Sequence, residues 1–279
     1  MFELRVRGLR VLLKLESLQV TGTFKVRGAL AAVTEIEGDA VVACSGGNHG
    51  LGIAYAAKAA GKRAVVFVPS GAAEVKVRAM RNLGAEVRQP CDSMDGAFAE
   101  AETYAARSRH PLIHPYDDPA VVMGQGTLGL DLRKQAPEVT RWLVGVGGGG
   151  LAAGLSLALD GRAEVVPVEP EACPSLTEAQ RVGVPAKVAC SGSARTSLGA
   201  PSIGRTPWGI LQGRVGPCLR VPESQILGAQ RWLWEEARLV AEPGGVTALA
   251  ALLSGVFEPM HGETVGVVLC GGNADGIVL

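Results

Sequence analysis

From residue 39 onward, short apolar runs rich in valine and alanine alternate with longer stretches whose apolar positions recur every three or four residues. The runs at 40–44, 64–68, 85–88, 112–114, 143–146, 164–168 and 265–269 have the length and near-continuous apolar character of strands buried on both faces. The stretches at 51–60, 73–83, 94–107, 121–135, 151–159, 223–238 and 247–253 read as helices, as does an earlier one carrying Val26, Ala29, Leu30, Ala31, Ala32 and Val33. This alternation predicts an α/β fold with parallel sheets covered on both sides. The block 40–117 holds four compact strand–helix units and ends at His114-Pro-Tyr-Asp-Asp-Pro119. The expected organisation is a small domain of residues 40–117 inserted into a larger one built from 1–39 and 118–279. Periodicity is weakest over 170–220, which is rich in Pro, Gly and Ser.

Composition narrows the function. With 27 basic and 27 acidic residues and no basic run, nothing points to nucleic acid or to an anionic membrane surface. The uncharged run 142–159 is long enough to raise the question of a membrane span, but Gly145, four glycines at 147–150 and Gly154 interrupt it. It reads as a strand, a glycine loop and a helix. The N-terminus has no signal-peptide pattern, because Glu3, Arg5, Arg7 and Arg10 break any apolar stretch. Six cysteines, at 44, 91, 173, 190, 218 and 270, show no paired spacing, as expected of reduced thiols in a cytoplasmic enzyme.

Open α/β sheets bind ligands beyond the carboxyl ends of their strands, and that rule selects a few loops. Ser45-Gly-Gly-Asn-His-Gly50 follows the strand at 40–44, and Gly147-Gly-Gly-Gly-Leu151 follows 143–146. Glu169-Pro170 follows 164–168, and Cys270-Gly-Gly-Asn273 follows 265–269. A run of glycines opening a helix can turn its amides toward an anion and adds the helix's partial positive charge, so Gly147, Gly148, Gly149 and Gly150 suit a phosphate. The Ser45 loop offers a hydroxyl and amides to an anion such as a carboxylate; it also reads as an ordinary turn capped by Asn48. Lys25 follows a Thr-Gly-Thr-Phe turn and opens an apolar helix, where lost hydration would free an amine for attack on a carbonyl.

The run from Glu16 to Ala29, with Thr-Gly-Thr-Phe-Lys at its centre, closely resembles the lysine segment of the serine/threonine dehydratases. These belong to the fold type II (tryptophan synthase β-like) pyridoxal phosphate enzymes. Ser-Gly-Gly-Asn-His-Gly, Val-Gly-Val-Gly-Gly-Gly-Gly-Leu, Gly124-Gln-Gly-Thr127, Glu242-Pro-Gly-Gly245 and Cys-Gly-Gly-Asn resemble the family's other segments in the same order. The resemblance implies two open twisted α/β domains with pyridoxal 5'-phosphate in the cleft between them. It implies a Schiff base at Lys25, ring packing by Phe24, the cofactor phosphate on Gly147–Gly150 and Leu151, the ring hydroxyl at Asn48 and the pyridine nitrogen at Cys270. Ser45, with the amides of Gly46, Gly47, Asn48 and His49, would hold the substrate carboxylate, making 40–117 the carboxylate-binding domain. His49 is expected to be structural or amide-donating rather than a catalytic base.

A thiol at the ring nitrogen cannot protonate it as an Asp would, which favours rapid elimination over a long-lived carbanion. The expected activity is therefore a serine/threonine dehydratase (ammonia-lyase) acting on a small amino acid, as a homodimer. The alternatives are a racemase or β-replacement enzyme on the same fold, and a truncated paralogue without turnover. Racemases resembling this chain carry a Ser after the residue matching Ser45, where this chain has Gly46. Several positions depart from the family. Lys25 lies near the start, where relatives carry a few dozen further residues, and only nine residues follow Cys270, so no C-terminal regulatory domain is expected. Thr196-Ser-Leu-Gly199 stands where relatives have Ala-Asp-Gly. Some relatives bind a cation with a Glu and an Asp six residues on; here Glu169 is followed by Ser175, so a monovalent ion on Glu169 and backbone carbonyls is expected rather than a divalent one.

Overall fold

The protein is described by a computed structural model covering residues 1–274. The chain opens with β1 (Phe2–Val6) and β2 (Leu9–Leu15), followed by a 3-10 turn and α1 (Lys25–Glu35). There follow β3 (Ala40–Cys44), α2 (Asn48–Ala59), β4 (Arg63–Phe67), α3 (Glu74–Asn82), β5 (Glu86–Arg88), α4 (Met94–Ser108), β6 (Leu112–Ile113) and α5 (Pro119–Gln135). The remainder is β7 (Arg141–Gly145), α6 (Gly150–Ala158), β8 (Glu164–Pro170), α7 (Ser175–Val182), α8 (Arg195–Leu198), α9 (Arg205–Leu211), β9 (Leu219–Val221), α10 (Glu223–Ala237), α11 (Pro243–Ser254) and β10 (Thr264–Leu269).

These elements form two compact units, one of Lys25–Gly124 and one of Met1–Phe24 with the described residues from Gln125 onward. The smaller therefore begins at Lys25, ahead of the boundary at 40 drawn from the sequence. The reason is α1, whose Ala29, Ala32 and Val33 pack into the same core as Ile53, Ala56 and Ala57 of α2 and Val41 of β3. Its sheet is parallel, in the order β5-β4-β3-β6. Every residue of β3 is buried, because a second core with Ala97, Ala101 and Ala105 of α4 covers the opposite face.

The larger unit holds a six-stranded sheet in the order β1-β2-β10-β7-β8-β9. All of its pairs are parallel except β1 with β2, a hairpin turned by Arg7 and Gly8 at φ 50° and 82°. Two consecutive positive φ values give the turn whose twist matches paired strands. Neither strand of this hairpin stands out as an apolar run: β1 alternates apolar with charged residues at an edge, and Arg10 and Lys14 interrupt β2. The core of the unit lies against α11, whose run from Val246 to Leu252 is buried throughout and contacts β7, β8, β9 and β10.

Candidate active site

In the smaller unit, Lys25 is the first residue of α1, and its Nζ donates to the Pro115 carbonyl at 2.7 Å. Helix α2 crosses α1 here so closely that a Cβ on Gly52 would lie 3.2 Å from the Lys25 carbonyl oxygen and 3.3 Å from Ala29 Cβ. Beyond β3, Ser45 is held by its own N–H on the Phe67 carbonyl (3.0 Å), and its hydroxyl accepts from Gly47 N–H (3.2 Å). A Cβ on Gly50 would run into the Ser45 carbonyl oxygen, so the loop folds tightly back on the helix. Asn48, His49 and Gly50 sit in the first turn of α2 rather than in the preceding loop. Their polar character conceals that turn from an apolar pattern that begins at Leu51.

His49 is 3 % exposed; its Nε2 lies 3.0 Å from the Ile113 carbonyl oxygen and so carries the proton, while its Nδ1 has no hydrogen-bond partner. Burial, with the nearby Lys25 charge as the second cause, pushes this imidazole down to about 3. His114 also has a depressed pKa, again first through burial, and its Nδ1 accepts from the N–H of Asp117 at 2.9 Å. Its ring packs edge-on against Tyr116, with centroids 4.6 Å apart.

In the larger unit, the glycine loop joins β7 to the N-terminus of α6. The Ser175 hydroxyl lies 2.6 Å from the Gly147 carbonyl oxygen, and Gly204 N–H donates to the Gly148 carbonyl at 3.1 Å. With the carbonyls tied back, the N–H groups of Gly148, Gly149, Gly150 and Leu151 have no acceptor among the described residues. Side chains are excluded where it matters: a Cβ on Gly147 would lie 2.8 Å from the Leu198 carbonyl oxygen, and Gly149 has φ +88°. Unpaired amides at a helix N-terminus on a bare backbone fit a phosphate group.

Cys270, 3 % exposed, lies just past β10, with its thiol 3.5 Å from the Gly244 carbonyl oxygen. A Cβ on Gly145 would stand 4.0 Å from the Cys270 sulfur and 3.7 Å from Leu198 Cδ1, while one on Gly244 would run into Ser197 and Leu198. Phe24, half-buried, donates its N–H to the Cys270 carbonyl. Leu198 and Ser197 thus pack on the glycine loop and on Gly244, contacts hidden in the weakly periodic 170–220 stretch.

Glu169 is fully buried, and its carboxylate accepts from Leu176 N–H (2.5 Å), Thr177 N–H (3.0 Å), Thr177 Oγ1 (3.0 Å) and Ser175 Oγ (3.1 Å). Burial raises its pKa against the pull of those donors. No group of three or more His, Cys, Asp or Glu side chains suited to a metal ion occurs among the described residues. Gln125, in the Gly124–Thr127 segment, is 1 % exposed, and both its amide atoms lack a hydrogen-bond partner. No helix among the described residues is long and apolar enough to cross a membrane.

A phosphate cradle opening a helix, a lysine opening another and a thiol at a strand end are the furniture of an α/β enzyme that uses a phosphorylated, carbonyl-bearing cofactor. A family model described as pyridoxal-phosphate dependent enzyme matches residues 3–271, and the chain belongs to that family. Over 277 residues it is 34% identical to L-threonine ammonia-lyase of Thermotoga maritima, covering 97% of this chain and 69% of that protein. Human serine racemase is 32% identical over 289 residues, covering 97% of this chain and 83% of the racemase. The crystal structure of a threonine deaminase from T.th. superposes with a TM-score of 0.90 at 37% identity, covering 96% of this chain and 89% of that one. Fold type II and the serine/threonine dehydratase branch expected from the motifs are therefore the observed ones.

Proposed function

We propose that this protein is a pyridoxal phosphate-dependent ammonia-lyase that converts L-threonine and L-serine to 2-oxobutyrate and pyruvate with release of ammonia. When bound, pyridoxal phosphate supplies an electron sink conjugated to the substrate's α-carbon. In this reading Lys25 holds the cofactor through its ε-amine and later takes the α-proton. The amides of Gly148 to Leu151, on the bare backbone of Gly147–Gly150, would hold the phosphate, Asn48 would serve the ring hydroxyl and Phe24 would pack on the ring. Ser45 and the amides of Gly46, Gly47, Asn48 and His49 hold the substrate carboxylate, which makes the smaller unit the carboxylate-binding domain. The substrate would lose its α-proton to Lys25, and its β-hydroxyl would take up one proton to leave as water, so that the net loss is one water. The enamine released then takes up water to give the 2-oxo acid and ammonia.

The observation that carries elimination over slower carbanion chemistry is Cys270. Its thiol lies 3.5 Å from the Gly244 carbonyl oxygen, and a thiol does not protonate a ring nitrogen as a carboxylic acid would. The decisive experiment is an assay of purified protein for 2-oxo acid with L-threonine and L-serine, alongside Lys25→Ala. The variant should lose both the visible cofactor band and turnover. A variant that keeps the band would move the cofactor to another lysine.

Three finer points belong to the same proposal. The protein works in the cytoplasm as a homodimer, which sedimentation and fractionation would test. L-serine is a substrate as well as L-threonine. An ion at Glu169 is monovalent, because the carboxylate already accepts from Leu176 N–H, Thr177 N–H and Thr177 Oγ1 and the remaining ligands on offer are carbonyls. Unchanged turnover after replacing potassium with a bulky tetraalkylammonium salt would remove that ion.

A further inference from the structure

His49 has a buried nitrogen with no task in the fold. Its Nε2 pins α2 to the end of β6 through the Ile113 carbonyl, whereas Nδ1 has no hydrogen-bond partner and is sealed from solvent. A buried acceptor left empty costs roughly 1–3 kcal/mol, so a partner during the reaction would explain its retention. The neighbourhood identifies that partner. His49 and Gly52 are three residues apart on α2 and share a face, and the Gly52 backbone is in near contact with the backbone of Lys25. The segment from Ile113 to Pro115 runs past both side chains, accepting from His49 at Ile113 and from Lys25 Nζ at Pro115, two residues further on. The charged groups acting on the ring are Lys25 on α1 and His114 after β6. The depression to about 3, caused first by burial, keeps the imidazole neutral and Nδ1 an acceptor at working pH.

We propose that His49 is a positioning residue for Lys25: its Nδ1 accepts a hydrogen bond from the ε-amine when that amine leaves the Pro115 carbonyl to act as base. Nδ1 then fixes one N–H of the amine, and with it the direction of the lone pair that meets the substrate's α-proton. No proton passes to the imidazole. The inference rests on Lys25 being the cofactor lysine.

Two substitutions separate this role from a structural one. His49→Gln can keep a donor for the Ile113 carbonyl but removes the acceptor at the Nδ1 position. His49→Asn places an amide oxygen near the Nδ1 position and gives up the Ile113 bond. The expected result is that the Gln variant keeps its visible cofactor band and its KM within about twofold while kcat falls about tenfold or more. The Asn variant should stay within about threefold of wild-type kcat. A readout independent of turnover is the ¹⁵N spectrum of histidine-labelled holoenzyme, simple because the chain has four histidines. Adding L-alanine, which has an α-proton but no β-leaving group, should move the His49 Nδ1 signal from the bare toward the hydrogen-bonded range. The opposite ranking, Gln active and Asn impaired, would reduce His49 to a pin for α2 and overturn the proposal, as would equal activity in both. If both variants misfold, the wild-type spectrum decides, and an Nδ1 signal indifferent to L-alanine overturns it. Lys25→Ala tests the underlying reading separately: a retained cofactor band there refutes Lys25 whatever the His49 variants do.

Discussion

The backbone N–H of Phe24 donates to the carbonyl of Cys270 at 3.1 Å, and the Thr23 hydroxyl donates to the same oxygen at 3.1 Å. Thr23 also forms a β-bridge with Gly271, and Asn273 Nδ2 donates to the Thr21 carbonyl at 2.8 Å. The turn that ends at the residue before Lys25 is thereby stitched to the strand end carrying the thiol. Two motifs far apart in sequence are held as one piece of backbone.

Thr23→Val tests how much that stitching depends on the hydroxyl. Thr23 is fully buried, valine nearly matches its volume, and the Cys270 carbonyl keeps its bond from Phe24. The loss should be about 1 kcal/mol, read from urea unfolding, with the visible cofactor band retained. A loss several times larger would mean that the hydroxyl orders the whole turn.

Within the glycine loop, individual positions do different work. Gly149 has φ +88°, and its Cβ would lie 2.5 Å from Ile203 Cδ1 and 2.9 Å from Pro207 Cβ. Gly149→Ala should therefore destabilise the fold by more than about 2 kcal/mol, combining the positive-φ cost with overpacking. Gly148→Asp is the better probe of the cradle. It should weaken cofactor affinity at least about tenfold, roughly 1.4 kcal/mol, by setting a like charge at the phosphate. Cofactor titration of a folded Asp variant checks this, and wild-type affinity would take the loop out of the site.

Reaction outcome is expected to follow Gly46. Racemisation needs an acid/base group on the face opposite Lys25, and glycine supplies none. Wild type should give 2-oxo acid with negligible D-amino acid, and Gly46→Ser should gain some D-serine. A Cβ at this position would stand 3.2 Å from Ala72 Cβ, so the variant asks the loop at Ala72 to yield slightly. Chiral chromatography decides; abundant D-serine from wild type would reassign the enzyme to its racemase relatives.

Stability should fall with acidity in a window set by His49. Its folded pKa, about 3, lies below the ordinary value of 6.5, so the unfolded chain binds the proton more readily. The stabilising contribution is complete above pH 6.5 and is lost as pH falls from there toward 3, at up to about 1.4 kcal/mol per unit. His114, also depressed, acts with the same sign. Glu169 is raised and acts oppositely: its contribution is present below 4.5 and lost as pH rises through its folded value. Urea midpoints from pH 7.5 down to 5 should decline for wild type and decline less for His49→Gln. Parallel curves would place the acid sensitivity elsewhere.

Much of this is readable from residues. The strands β3, β4, β7, β8 and β10 show as apolar runs because parallel strands buried on both faces need little polar alternation, and the glycine run announces a bare backbone. The hairpin of β1 and β2 is not readable, since an edge strand alternating with Glu and Arg looks like surface. Nor are the contacts across the fold that Leu198 makes on Gly147 and that Ser175 makes on Gly147 and Glu169, because both lie in a weakly periodic stretch. The first turn of α2 is hidden for another reason: Asn48 and His49 are polar but buried, and burial of a polar residue leaves no mark in an apolar pattern.

Strand order carries a consequence for biosynthesis. β10, the last of the described strands in sequence order, pairs with both β2 and β7. Until residues 264–269 emerge, the larger sheet exists as two pieces with open edges, whereas Lys25–Gly124 has been complete since α5 began. A nascent chain stopped at residue 263 should therefore yield a protease-resistant core from the smaller unit and lose the rest, making β10 a keystone on which the lifetime of everything flanking that unit depends.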